Sequence, residues 1–447
     1  MRAYGCLAGI NITASHNPKE YNGYKAYWCD GAQLQTETAM AVSARLEEID
    51  VFAGPKRMDL QRGIELGRIC LLGRSCDEAY LKAVEELSTV WPGMEADKEK
   101  VKIVYTPLHG CGYQLVPEIL CRTGLQRLLC EPSQMVLDGD FSTVESPNPE
   151  YPESFARAAE LAIRENADLI LGTDPDCDRV GVGVKSGCKY LLLSANEIGM
   201  LLLEYICKQR NAGGSMPCRP LMMKTIVTID MAERIAPDYG VDTVNVLTGF
   251  KYIGEQIGLL EEKGEEDRFI FGFEESYGCL IGTYARDKDA ISATAALCEA
   301  AAYYKQKGMT LWDAMIAMYE KYGYYKDAVK AIGLSGIEGL AKIQSIMETL
   351  RNNTPTEVGG YKVTSARDYK LDTIKNMATG EVKPTGLPSS NVLYYDLEDG
   401  AWICVRPSGT EPKIKFYFGV KGTSLKDAEE KENALGAAVM AMVDKMM

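Results

Sequence analysis

The sequence predicts an α/β, multidomain protein, with mixed α/β sheets covered by helices in its first three domains and a smaller α+β C-terminal domain. Three observations lead there. Short apolar or β-branched runs alternate with helix-length amphipathic segments over roughly the first 300 residues, the pattern of strands joined by helical crossovers. The rhythm then changes, and short strand patterns crowd around Gly- and Pro-containing turns before one closing helix. Finally, 447 residues exceed what one ordinary core holds, since domains run to about 100–150 residues.

In chain order, residues 7–14, LAGINITA, read as a buried strand running into a polar loop, and helical periodicity follows at 39–50 and 69–90. A strand buried on both faces needs neighbours, so a further segment before it is expected. After the charged run at 95–100, VKIVY is a strand, TPLHGCG a turn, 113–124 a helix and 125–130 the next strand. The polar passage 138–153 is a loop, followed by helix 154–166, strands 168–173 and 180–185 and helix 196–209. The alternation resumes with strand 222–228, helix 230–237, strand 241–246, helix 250–262, strand 268–272 and helix 289–307. Helical material continues over 311–350, a stretch with room for a linker. Strands near 360–365, 391–396, 401–405 and 414–420 and a helix over 425–446 close the chain.

A net charge of -14 opposes broad nucleic-acid or anionic-membrane surfaces, whose fields would repel the chain, but leaves a small phosphorylated substrate open. No apolar stretch approaches the roughly 18 residues a membrane span needs, and the start does not read as a signal peptide. The 14 cysteines include no C-x-x-C pair and read as buried thiols in a reducing compartment, so cytoplasmic localisation is expected.

Four loops carry the chemistry. Thr13-Ala14-Ser15-His16-Asn17-Pro18, followed by Lys25, presents a hydroxyl at a strand end with positive charge nearby; an ordinary Asx or Ser turn has the same residues, and His16 alone also suits a structural role. In Asp174-Pro175-Asp176-Cys177-Asp178-Arg179, alternation by two places three carboxylates on one side of an extended segment, where a hard cation such as Mg²⁺ would relieve their repulsion. Arg179 offsets charge or grips a phosphoryl oxygen. The other reading is a solvated acidic turn; Cys177 reads as a small packed residue. Gly272-Phe273-Glu274-Glu275-Ser276-Tyr277-Gly278 suits recognition of sugar hydroxyls, or equally a helix cap. Arg406-Pro407-Ser408-Gly409-Thr410-Glu411-Pro412 suits a phosphate monoester, or a tight turn without ligand. No P-loop and no dinucleotide-binding glycine motif accompanies them.

Taken in order, TASHNP, DPDCDR, GFEESYG and RPSGTEP resemble the four active-site loops of the α-D-phosphohexomutase superfamily, in its phosphoglucomutase-like branch. The resemblance covers nearly the whole chain. It implies four domains: 1–98 with the serine loop, 99–210 with the metal loop, 211–330 with the sugar loop and 345–447 with the phosphate loop. Catalytic roles fall on Ser15, His16, Lys25 and Arg179, and Mg²⁺ ligation on Ser15, Asp174, Asp176 and Asp178. Substrate contacts fall on Lys224, Thr248, Gly249, Glu274, Ser276, Arg286, Lys288, Arg406, Ser408, Gly409 and Thr410. The implied reaction interconverts glucose 1-phosphate and glucose 6-phosphate through phosphoserine, with glucose 1,6-bisphosphate as intermediate and activator. The only partner implied is a phosphorylated monosaccharide. Alternatives are a phosphopentomutase, a phosphomannomutase or a catalytically impaired phosphosugar-binding fragment. Two departures stand out: only 14 residues precede Ser15, so the resemblance implies an N-terminally truncated first domain, and Cys177 stands where Ala or Gly is commoner.

Overall fold

An antiparallel ribbon of β1 (Ala8–Ile12) and β2 (Tyr24–Trp28), with Asn11 opposite Lys25, is the first regular element of the computed structural model, which describes residues 1–187, 189–334, 336–408 and 412–446. Burial of this strand is not observed: Ile10 and Ile12 are 69% and 71% exposed. With one neighbouring strand and no layer over that face, side chains two residues apart point together into water. Helices α1 (Thr36–Glu47), α2 (Leu60–Glu65), α3 (Arg74–Glu85) and α4 (Met94–Lys98) follow. The single helical segment expected at 69–90 is shorter because Gly73 is extended at the N-cap of α3.

Next come β3 (Ile103–Thr106), α5 (Gly112–Arg122), β4 (Leu128–Cys130), α6 (Ala156–Glu165), β5 (Leu169–Thr173), β6 (Val180–Ser186) and β7 (Lys189–Leu192). Their sheet has the order β4-β3-β5-β6-β7, with β4, β3 and β5 parallel and β6 and β7 antiparallel. Every residue of β3 and β5 is buried, as strands covered on both faces require. On one face Val104 and Ile170 pack against Phe155, Ala158, Leu161 and Ala162.

Helix α7 (Ala195–Ala212) starts at a capping box of Ser194 and Glu197. It leads to β8 (Leu221–Thr225), α8 (Ala232–Ile235), β9 (Asp242–Val246), α9 (Phe250–Glu261), β10 (Phe269–Phe273), β11 (Cys279–Ile281) and α10 (Ala290–Gln306). Strand order is β11-β10-β8-β9. The helix expected at 230–237 is one α-turn followed by a 3₁₀ segment containing Pro237, which cannot donate to an α-helical ladder. The parallel strands β3, β5 and β10 end at Thr106, Thr173 and Phe273, and the loops leaving such carboxyl ends are where open α/β sheets place their ligands.

The chain divides into two units: Met1–Lys224 with Tyr239–Val244 and Gly249–Trp312, and Thr225–Asp238 with Asn245–Thr248 and Asp313–Met447. The second contains most of α11 (Leu311–Tyr322), then β12 (Tyr324–Gly333), α12 (Gly336–Asn352), β13 (Glu357–Val358), β14 (Tyr361–Asp368), β15 (Thr373–Asn376), β16 (Val382–Lys383), β17 (Leu393–Leu397), β18 (Trp402–Pro407), β19 (Lys413–Gly422) and α13 (Leu425–Asp444). The helical material expected over 311–350 is thus interrupted by β12, which pairs with β19 from Tyr324 opposite Gly422 to Gly333 opposite Lys413. That long-range ladder overrides the local helical pattern. The antiparallel sheet runs β12-β19-β18-β17-β14-β15-β16, and Ile346, Leu350, Leu435 and Val439 of its helices pack into one core with Ile403, Val405, Phe416 and Phe418.

The described cysteines are all free thiols, but they are not uniformly buried: Cys29, Cys70, Cys111, Cys121 and Cys218 are exposed. Among the described residues no helix is long and apolar enough to cross a membrane.

Candidate active site

The loop between β1 and β2 shapes the first component. Thr13 N donates to Gly23 O at 3.0 Å and Asn17 N to Ala14 O at 3.1 Å, while Ser15 N donates to Thr13 Oγ1 at 2.8 Å. The serine turn open to either reading is therefore real, and it does more than close a loop. Ser15 is held at a left-handed φ of 52° and its Oγ donates to Asp174 Oδ2 at 2.9 Å, with His16 Nδ1 3.2 Å away. A non-glycine residue in that conformation is strained, and strain of this kind gathers at functional sites.

The second component leaves the end of β5. The three carboxylates converge through a turn, not through an extended segment: Cys177 N donates to Asp174 O at 2.9 Å, and Cys177 itself is left-handed at φ 57°. Asp174 Oδ1 accepts from Asp178 N and Arg179 N, each at 3.0 Å. One ligand oxygen from each of Asp174, Asp176 and Asp178 lies within 4.8 Å of the others. Cys177 is 7% exposed, with its thiol pushed up by burial, in keeping with a packed residue.

Cations surround this cluster. Lys25 Nζ donates to Asp176 Oδ2 at 2.7 Å and Asp178 Oδ2 at 2.5 Å, and Lys288 Nζ lies 3.2 Å from Asp178 Oδ2. Arg179 Nη1 donates to Glu150 Oε1 at 3.1 Å, and its Nε lies 3.8 Å from Asp178 Oδ1. The consequences for protonation are opposite at two aspartates. Burial, then the charges of Asp178 and Asp176, push Asp174 well above the usual carboxylate range. Burial also works against ionised Asp178, but Lys288, Lys25 and Arg179 outweigh it and hold that group low. Nearby, burial followed by Asp176 and Asp174 pushes the Cys111 thiol up to about 11.

The third component, after β10, abuts the second. Arg179 and Gly278 form an antiparallel bridge, and Val180 N donates to Tyr277 O at 3.3 Å. Glycine at 278 leaves room for this close approach, since a Cβ there would lie 2.0 Å from Lys288 Cδ and force that side chain to shift. Glu274 is 5% exposed, its pKa raised chiefly by burial. Ser276 occupies the same loop and favours the ionised form of Glu274, against the effect of burial. Lys224, 1% exposed, lies near the end of β8, and Gly249, at φ 121°, precedes α9. Arg286 turns elsewhere than the acidic cluster: it donates to Thr283 O at 2.6 Å and Glu261 Oε2 at 2.9 Å. On the second unit, Thr248 has a buried hydroxyl without a hydrogen bond, Arg406 lies on β18 opposite Lys415, and Ser408 N donates to Lys413 O at 2.7 Å. Gly409 and Thr410 lie outside the described residues.

Ser15, Lys25, the three aspartates, Arg179, Glu274, Ser276 and Lys288 thus belong to a connected set on the first unit. Sequence reasoning missed Glu150, the partner of Arg179, because a lone glutamate in a polar loop carries no spacing signal. It also missed Asp287, which accepts from Tyr27 OH at 3.0 Å and Gln33 Nε2 at 2.7 Å, fastening the region around β2 beside Lys288.

A metal fits this set. Asp176 Oδ1 and Asp178 Oδ1 are buried and make no hydrogen bond, so oxygen lone pairs are left facing inward at the point where three carboxylates meet. All-oxygen donors favour a hard divalent cation such as Mg²⁺.

Comparison with known proteins agrees on one family. Models of phosphoglucomutase/phosphomannomutase match residues 1–52 as alpha/beta/alpha domain I, 78–187 as domain II, 194–322 as domain III and 356–435 as the C-terminal domain. A phosphoglucomutase of Staphylococcus aureus strain MSSA476 is 35% identical over 437 residues, spanning 97% of this chain and 76% of the relative. In fold, the chain is similar to parafusin (phosphoglucomutase) from Paramecium in its open form, at a TM-score of 0.66 and 17% identity over 99% of this chain and 78% of that one. It is also similar to an Aspergillus fumigatus N-acetylphosphoglucosamine mutase variant solved with glucose 1,6-bisphosphate, at a TM-score of 0.51 and 16% identity over 98% and 89% of the respective chains.

Proposed function

The chain belongs to the phosphoglucomutase/phosphomannomutase family, and from that premise we propose that it is a phosphosugar mutase interconverting glucose 1-phosphate and glucose 6-phosphate. The observation that carries the reading is the Ser15 hydroxyl 2.9 Å from Asp174 at the edge of the three-carboxylate cluster. The glucose preference draws support from the name of the S. aureus relative and from the Glu274-Glu275-Ser276 loop.

In this reading Ser15 Oγ carries the phosphoryl group and gives it to O6 of glucose 1-phosphate, which loses its hydroxyl proton. Glucose 1,6-bisphosphate results as the Oγ–P bond breaks, and the proton given up by O6 ends on Ser15 Oγ, which is freed as a hydroxyl. After the bisphosphate turns around, Ser15 Oγ takes the phosphoryl group from O1 as the O1–P bond breaks, its own proton passes to O1, and glucose 6-phosphate departs. A divalent cation held by Asp174, Asp176, Asp178 and the Ser15 oxygen would supply electrostatic stabilisation of charge on the transferring group. Lys25 and Lys288, kept as ammonium ions by Asp178, add fixed positive charge around the same point. Held protonated, Lys25 suits donation of a proton to a leaving oxygen better than removal of one. Glu274 and Ser276 take sugar hydroxyls; Arg406 and Ser408 take the phosphate that is not being transferred.

The test is conversion of glucose 1-phosphate with Mg²⁺ and a trace of glucose 1,6-bisphosphate, run beside mannose and pentose phosphates. Ser15→Ala should abolish turnover and leave no phosphorylated peptide containing residue 15 by mass spectrometry. Undiminished turnover by Ser15→Ala would sink the phosphoserine mechanism, and a faster mannose or pentose reaction would move the substrate assignment.

A further inference from the structure

One buried histidine lies outside the site and outside every motif that the function absorbs. His109, 5% exposed, follows β3 in a turn where Leu108 and His109 are consecutive left-handed residues, at φ 46° and 66°. Neither is glycine, so something must hold this strained pair in place. Both ring nitrogens are engaged: Nδ1 lies 2.9 Å from Val136 O and Nε2 lies 2.7 Å from Thr143 Oγ1. A carbonyl only accepts, so Nδ1 carries a proton, and in the neutral ring Nε2 accepts from the Thr143 hydroxyl.

The network continues without a gap. Gln134 Nε2 donates to Thr143 Oγ1 at 3.0 Å, Thr106 Oγ1 donates to Gln134 Oε1 at 2.6 Å, and Leu108 N donates to Thr106 Oγ1 at 3.1 Å. His109 N donates to Gln134 O at 3.2 Å. Thr106 and Gln134 are fully buried. Each named donor has an acceptor, which makes the unit rigid and dependent on the imidazole at its centre.

Its two ends touch the two halves of the reaction centre. Beyond His109, the chain presses against the acidic loop: a Cβ on Gly110 would lie 2.3 Å from Pro175 Cα, and Cys111 N donates to Pro175 O at 2.8 Å. Beyond Thr143, Ser146 Oγ donates to His16 O at 3.3 Å, and within the same segment Asp140 accepts from Lys19 Nζ at 3.2 Å. We propose that His109 is a positioning residue: through Thr143 and Val136 it ties the segment contacting the serine loop at His16 to the turn supporting the acidic loop at Pro175. The inference rests on reading Asp174, Asp176 and Asp178 as a cation site.

The experiment measures Mn²⁺ binding to the full chain, by electron paramagnetic resonance of free Mn²⁺, for the wild type, His109→Ala, His109→Asn and Thr143→Val, together with melting temperature. Residues supporting metal ligands typically change affinity by about 10–100-fold when removed. His109→Ala and Thr143→Val should weaken Mn²⁺ binding by roughly 10-fold or more. His109→Asn retains a side-chain N–H toward Val136 and tolerates a left-handed φ, and should recover most of the loss. Wild-type Mn²⁺ affinity in folded His109→Ala overturns the proposal even if its melting temperature falls. Should that variant not fold, unchanged affinity in Thr143→Val overturns it. A wild type that binds no Mn²⁺ would instead remove the cation-site reading, and this inference with it.

Discussion

Replacing Lys98 by methionine perturbs an ion pair that is almost completely removed from water. Lys98 Nζ lies 2.6 Å from Glu299 Oε1, with side-chain exposures of 1% and 3%. Glu299 also accepts from Ser88 Oγ, from Thr89 N at 3.4 Å and from Tyr205 OH at 3.4 Å, so one carboxylate joins α10, α7 and the segment between α3 and α4. Lys98→Met (K98M) keeps most of the stem volume and removes the charge, leaving a buried carboxylate with neutral donors alone. Breaking one side of a buried pair costs about 3–5 kcal/mol. The three surviving donors place this case near the lower end, at about 3 kcal/mol. At roughly 2–4 °C per kcal/mol for a domain of this class, the melting temperature should fall by on the order of 10 °C. Urea and thermal unfolding followed by tryptophan fluorescence are suitable, because Trp91 lies with its ring 6.0 Å from Lys98 Nζ. Lys98→Met combined with Glu299→Leu should recover part of the loss, since an apolar pair removes the uncompensated charge. A single variant within about 1 kcal/mol of wild type, with no gain in the double variant, would refute the reasoning.

Three further outcomes bear on the site. Asp176→Asn removes one of three converging carboxylates and should weaken Mg²⁺ binding at least about 10-fold by calorimetry; unchanged affinity would mean that the cation sits elsewhere. Gly278→Ala puts a methyl group 2.0 Å from Lys288 Cδ and 2.8 Å from Glu274 Oε1, against backbone bridged to Arg179; turnover should fall about 10-fold or more while overpacking costs about 1–3 kcal/mol of stability, and wild-type turnover would show that Lys288 is not needed in place. Lys288→Met acts through Asp178, whose depressed pKa contributes stability present above the ordinary carboxylate value of about 3.9 and lost as pH falls through the depressed value. Without Lys288 that pKa rises, so acid unfolding of the metal-free protein should begin at higher pH; coincident acid-unfolding curves would contradict the assignment.

The legible parts of this protein were those in which local chemistry is repeated or crowded. LILGT before Asp174 and RFIF before Gly272 read as strands because uninterrupted apolar runs must be buried on both faces, and β5 and β10 are indeed buried throughout. Three aspartates within five residues pointed to carboxylates that converge, as their ligand oxygens do within 4.8 Å, even though the supposed extended alternation is a turn. Where local pattern and long-range pairing disagreed, the sequence misled: residues 324–333 fall within the stretch 311–350 read as helical material, yet ten paired positions with β19 make them a strand. The exposed β1 misled in the opposite direction, since an apolar run says that burial is favourable but not that a covering layer is there.

By itself, then, the sequence determined the family, the alternation of strands and helices, and the short loops in which a hydroxyl and three carboxylates stand, because each is written within a few consecutive residues. Only the tertiary structure decided their company. It put Lys25 and Lys288 on Asp178, gave Arg179 to Glu150, turned Arg286 toward Glu261, and connected His16 and Pro175 through His109. Coulomb and hydrogen-bond energies depend on ångström separations and on exclusion of water. Both are set by residues far apart along the chain, as Ser15 and Asp174 are, and no spacing in the sequence encodes them.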